Sequence, residues 1–161
     1  MENFIEAFNE GQEAAKQAKI ARSEISEVII SLSQQLLEAT GGKISVSLDI
    51  SPLKRMSKSI YPFKAIDGLS GREEEGPFIL YANYNFNDHD AHDSVKLAIW
   101  EEDSAGYPVT ITWGKTQRIC NDRESLEKCL MDLLKDPIAA EQISRLIKKN
   151  EGTKESEEKD R

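Results

Sequence analysis

A chain of 161 residues is long enough to bury a core without metals or disulfides, and 39% hydrophobic with 31% charged residues suits a globular protein with a polar extension. Its net charge of −8 excludes broad binding to a phosphate backbone, which needs a basic face, and fits solubility or a partner with a basic surface. No run approaches the roughly 20 apolar residues of a membrane span, and the opening Met1-Glu2-Asn3-Phe4-Ile5-Glu6 is acidic where a secretory leader is basic, so a cytoplasmic chain with no membrane contact is expected.

Residues 2 to 39 read as one helix without proline. Phe4, Phe8, Gly11, Ala15, Ala18, Ile25, Ile29, Leu32 and Leu36 recur at alternating steps of four and three, the spacing of a coiled-coil seam. Only Arg22 breaks the row. The first half of the seam is aromatic and small, the second half aliphatic, and Ala7, Ala14, Ala21 and Val28 widen the same face. Gly41-Gly42 supplies the left-handed stop. Such a helix is about 55 Å long, whereas an ordinary strand spans about 17–20 Å. The aliphatic half is expected on a sheet and the alanine-rich half beyond it. Phe4, Phe8, Gly11, Ala15 and Ala18 are therefore the candidate contact with a protein partner or a second copy, most simply as a dimer.

The next segments alternate. Ile44, Val46, Leu48 and Ile50 mark a half-buried strand. Phe78 to Phe86, Val95 to Glu101, Val109 to Trp113 and Thr116 to Cys120 follow at spacings that predict an antiparallel meander. The opposite faces carry Ile79 and Tyr81 and, with Val95, Leu97 and Ile99 inward, Ala98 and Trp100, and Trp100 becomes a candidate interface residue. Apolar residues on both faces call for cover on both, by the long helix and by the C-terminal helices. Those helices are signalled by Asn121 with Glu124 as a capping box, by the stripe Leu126, Cys129, Leu130, Leu133 and Leu134, and by Asp136-Pro137 as a stop and restart. The fold expected is α+β: a long N-terminal helix, a sheet of four to five antiparallel strands, and two C-terminal helices packed on it. Residues 1–40 form the association helix, 41–149 the α+β domain, and 150–161 a charged tail too polar to order itself.

Chemistry is sparsely signalled. Asp88, His89, Asp90, His92 and Asp93 offer nitrogen and oxygen ligands that suit Zn²⁺ or Mn²⁺. No further histidine completes a set, and Asn and Asp are also turn formers, so a solvated connector is expected and no metal or other cofactor. Lys54, Arg55 and Lys58 are candidate anion ligands in a long irregular connection, with a solvated loop as the plain alternative. Cys120 and Cys129 lack CxxC spacing and read as buried free thiols. The chain carries no GxSxG, phosphate loop or HExxH. It reads as a non-enzymatic protein-binding module that self-associates through its N-terminal helix. By layout alone it is comparable to small bacterial or phage regulators, inhibitors and immunity-type proteins. The alternative is a small-molecule or nucleotide binder, or an enzyme, using the 51–77 loop with His89 and His92 for acid–base work.

Overall fold

The computed structural model describes residues 3–50, 77–85 and 92–159. Helix α1 (Phe4–Ala39) is followed by β1 (Ile44–Ile50), β2 (Phe78–Asn85), β3 (His92–Asp103), β4 (Gly106–Trp113) and β5 (Thr116–Cys120), then by α2 (Arg123–Lys135) and α3 (Pro137–Lys159). The strands form one antiparallel meander in the order β1-β2-β3-β4-β5, so the α+β layout is as the periodicities require. The expected anion ligands Lys54, Arg55 and Lys58, and Asp88, His89 and Asp90 of the histidine loop, lie outside the described residues.

Helix α1 ends as its glycines dictate. Gly41 and Gly42 have φ of 62° and 84°, and their N–H groups donate to Glu38 O (3.3 Å) and Leu37 O (2.7 Å). This is the paired closure that satisfies the last carbonyls of a helix. Thr40 Oγ1 then accepts from Ile44 N at 3.0 Å, and Ser33 Oγ from Val46 N at 3.0 Å, so the helix stitches itself to the strand that follows.

All three helices join one face of the sheet. Ile25 and Val28 of α1, Leu126, Cys129, Leu130 and Leu133 of α2, and Ala139 and Leu146 of α3 pack in a single cluster with Ile44, Val46, Leu80, Ala82, Tyr84, Ala98, Trp100, Val109 and Ile111. The expectation of helical cover on both faces is thus corrected. Its source is the phase of β3. The register pairs Leu80 with Ala98 but Tyr81 with Lys96, skipping Leu97. One extra residue in a strand reverses the alternation beyond it. Val95 before the bulge and Ala98 and Trp100 after it therefore share the core face, and Ile99 turns outward. The other face carries Ser45, Ser47, Asn83 and Ser94, tied by Asn83 Nδ2 to Ser47 Oγ (2.8 Å) and Ser94 Oγ to Asn83 Oδ1 (2.8 Å), and also Ile79, buried and paired with Ile99.

Helix α2 starts one residue later than the sequence pattern suggests. Asp122 is the cap: its carboxylate accepts from Ser125 N at 2.8 Å, while Ser125 Oγ accepts from Asp122 N at 3.2 Å. Asp136 caps α3 as expected, accepting from Ile138 N at 2.9 Å.

The turn between β3 and β4 presses on α1. A Cβ placed on Gly106 would stand 2.7 Å from Ala21 Cβ, and Gly106 has φ of +92°. Both facts demand glycine. Gly106→Ala is expected to destabilise the protein by at least about 2 kcal/mol, the sum of left-handed backbone strain and the clash, as a fall in the urea midpoint. Adding Ala21→Gly should return only the part due to the clash.

Candidate functional site

The long helix divides at its contact with the β3–β4 turn. Ala18 is buried, Gly106 abuts Ala21, and the Arg22 guanidinium donates to Ser104 O at 2.5 Å. Arg22, a break in the apolar row when read as sequence, is the residue that ties the helix to the hairpin. Behind it, Tyr107 Oη donates to Glu24 Oε1 at 3.1 Å, with burial first and the Glu24 carboxylate second raising the phenol above its ordinary range.

Ahead of that contact the helix leaves the domain. Every residue from Asn3 to Gln17 is exposed, including Phe4 at 81%, Ile5 at 74% and Phe8 at 64%. The helix nevertheless begins with a proper cap, the Asn3 side chain accepting from Ile5 N and Glu6 N. Eighteen residues make about five turns, so Ala7, Gly11 and Ala18 stand in line with Ile25, Ile29 and Leu36, which pack on the core. The small residues thus carry the core stripe past the end of the sheet, while Phe4 and Phe8, in line with exposed Arg22 and Ser26, lie beside it. Of the five helix residues singled out by sequence, Phe4, Phe8, Gly11 and Ala15 lie on this free segment and Ala18 at its root. A second apolar surface opens beside the docked half, where Val28, Leu32, Leu36, Leu130, Met131 and Leu134 line a groove of about 450 Å³ between α1 and α2.

The remaining candidates are differently placed. Trp100 is a correction: it is fully buried, its indole N–H donating to Glu102 Oε1 at 2.9 Å. The bulge at Leu97 turned it into the core, so its side chain offers no surface to a partner. In the histidine loop His92 opens β3, while the Asp93 carboxylate accepts from Lys149 Nζ at 2.9 Å and Asn150 Nδ2 at 3.1 Å. Asp93 is thereby engaged in holding α3. Among the described residues no group of three or more His, Cys, Asp or Glu could hold a metal ion, and no helix is long and apolar enough to cross a membrane. Cys120 and Cys129 are both buried. Burial first, then its neighbour Cys120, pushes the Cys129 thiol up to about 12, and burial raises Cys120 too. Both stay protonated at neutral pH, the opposite of an activated nucleophile.

Sequence reasoning missed Asn150. The apolar rhythm ends at Lys149, yet α3 continues to Lys159, and Asn150 is 5% exposed. Its amide also donates to Leu146 O at 2.8 Å, and the next residue, Glu151, pairs with Lys43. Only the position of Asn150, four residues after Leu146 on the inner stripe, could have signalled this.

Asn150→Ala should cost about 1–2 kcal/mol through the lost bonds and the carboxylate left behind. The hydrogen bonds from Lys149 and then Asn150 hold the Asp93 carboxyl below its usual range. A depressed carboxylate contributes stability that is present above its unfolded pKa and lost as pH falls through the folded value. The stability gap between the natural chain and Asp93→Asn is therefore expected in full at pH 6–7 and to shrink below about pH 4, as denaturant titrations across that range would record. Comparison with protein-family models, curated proteins and solved structures gives no match for this chain.

Proposed function

We propose that the protein is a non-enzymatic protein-binding module that associates with itself through the N-terminal half of α1. The observation that carries this reading is the free stripe: two phenylalanines and an isoleucine, 81%, 64% and 74% exposed, on a helix that extends past the sheet. A free helix of about four turns is marginal in water unless an apolar face is covered. Exposed aromatic side chains at regular spacing are what helix-mediated recognition uses.

The small-molecule or enzyme alternative depends on Lys54, Arg55, Lys58 and His89, which are not among the described residues, and no described feature favours it. A regulatory or inhibitory role toward a further protein partner belongs to the same proposal, with the groove between α1 and α2 as the second available surface.

Light scattering on the full chain at tens of micromolar should report a dimer. Phe4→Glu combined with Phe8→Glu, both far from the core, should yield monomers with unchanged far-UV helicity in the folded domain. A natural chain that is monomeric throughout that range would remove the self-association reading.

A further inference from the structure

A separate surface lies on β3, at the end away from its junction with α1, and does not depend on self-association. Strand β3 runs from His92 to Asp103 and pairs with β2 from its first residue. Pairing with β4 on its other side begins only at Ile99, opposite Thr112. The reason is local: β4 stops at Trp113, where Gly114 (φ 54°) and Lys115 turn the chain back into β5. Among the described residues, 92–98 therefore have no strand beside them on that side. Seven residues of strand span about 23 Å. An unpaired edge presents a row of N–H and C=O groups that a further strand can satisfy.

We infer that an acidic, extended segment of another protein adds as a strand to this edge of β3. The edge is recessed. A cavity of about 710 Å³ opens against Lys96 and Ile99 of β3, with Trp113 and Lys115 at its β4–β5 end and Ile138 and Gln142 of α3 as a wall. A single strand can lie there in line with β4, beyond the turn, whereas the edge of a second sheet would meet the turn and α3 first. The two sides of the cavity also differ in chemistry. Lys96 pairs with Tyr81 and Ile99 with Thr112, which places Lys96 and Thr112 with Ile99 on the outer face of the sheet. Trp113 and Ala139 belong to the core side, and Ile138, next to Ala139, is 64% exposed. Side chains of an added strand alternate between these two sides. On the outer side they come beside the Lys96 ammonium, and on the helix side against Trp113 and Ile138. The segment that suits both alternates acidic with apolar residues.

Charge fixes the sign of the partner. Lys96 and Lys115 are exposed, and among the described residues neither has an ion pair. The acidic group of the lining, Asp136, is taken up as the cap of α3, accepting from Ile138 N. The cavity therefore offers uncompensated positive charge on a chain that is acidic as a whole. A lysine on an open edge also keeps a sheet from pairing with its like. Two-fold pairing of this edge would crowd the Lys96 of both copies into one short ladder, where like charges repel and a carboxylate attracts.

The test uses the full-length chain and a fluorescein-labelled probe peptide that alternates glutamate and valine over about eight residues. Its anisotropy should rise on titration with the protein, with a Kd below about 1 mM, while a peptide alternating lysine and valine should not bind. Lys96→Glu combined with Lys115→Glu, both at exposed positions, should weaken the glutamate peptide at least about tenfold and admit the lysine peptide. An unchanged melting curve would show that the domain of this variant is intact. Amide hydrogen exchange should slow within 92–98 when the glutamate peptide is bound. The Phe4→Glu, Phe8→Glu variant should bind that peptide as the natural chain does, which separates this edge from the surface on α1. No binding of the glutamate peptide up to about 1 mM, or equal binding of both peptides, would overturn the proposal. Protection confined to the groove between α1 and α2 would overturn the placement on β3. Loss of the chain's own dimer in the double lysine variant would assign the edge to a second copy and overturn it as well.

Discussion

The approach of the β3–β4 turn to α1 is the contact on which the rest of the molecule depends. At Gly106 and Ala21 there is no room for one more methyl group, and Arg22 closes the same junction through Ser104 O. A helix that crosses a five-stranded sheet must leave it somewhere. This junction sets the place, between Ala18, which is buried, and Gln17, which is not. Toward the C-terminus one face of α1 answers to the core, and toward the N-terminus every face answers to solvent or to a partner.

That division has an energetic consequence. Nucleating a helix is costly while propagating it is cheap. The docked half, anchored by Ile25 and Val28 in the core and closed by the glycine pair, acts as the nucleus from which the free half is extended. The Asn3 cap secures the far end. A surface ordered in advance gives up less conformational entropy when it is covered. The rigid sheet thus supplies a helical face that the free segment, as an isolated peptide, would not hold.

Much of this was legible in the sequence because it rests on periodicity. The seam of α1, the five strands and the apolar stripe of α2 each repeat often enough to be read, and Gly41-Gly42 and Asp136-Pro137 mark their boundaries by backbone chemistry. What escaped was aperiodic. The bulge at Leu97 inserts one residue into β3, and no local signal distinguishes it from continued alternation. Its effect is that Trp100 and Ala98 belong to the core face, against the simple alternation. Arg22 looked like a fault in the seam because its partner, a backbone carbonyl, lies far along the chain. Asn150 looked like the start of a polar tail because a buried amide is recognisable only once Asp93 is known to face it. The capping box of α2 moved by one residue for a similar reason. Asp122 and Ser125 make as good a pair as Asn121 and Glu124, and only the geometry of the chain entering from β5 chooses between them.

Polar groups that might have carried chemistry are, among the described residues, committed to holding elements together. Asp93 and Asn150 fix α3 to the end of β3, Arg22 fixes α1 to the hairpin, and Glu24 anchors Tyr107. The Arg123 guanidinium bridges Glu127 (2.9 Å) and Glu27 (3.3 Å), joining α2 to α1. Each of these links is partly exposed and so individually modest. Together they orient the helices over a core that is otherwise apolar and non-directional. An apolar core alone tolerates sliding of one helix past another, whereas a hydrogen bond to Ser104 O or Leu146 O is satisfied in one register only. The direction in which α1 leaves the sheet is therefore set by polar contacts, and the apolar stripe it carries outward is aimed by them. Any partner that covers that stripe meets it at an angle fixed by these few polar contacts rather than by the core.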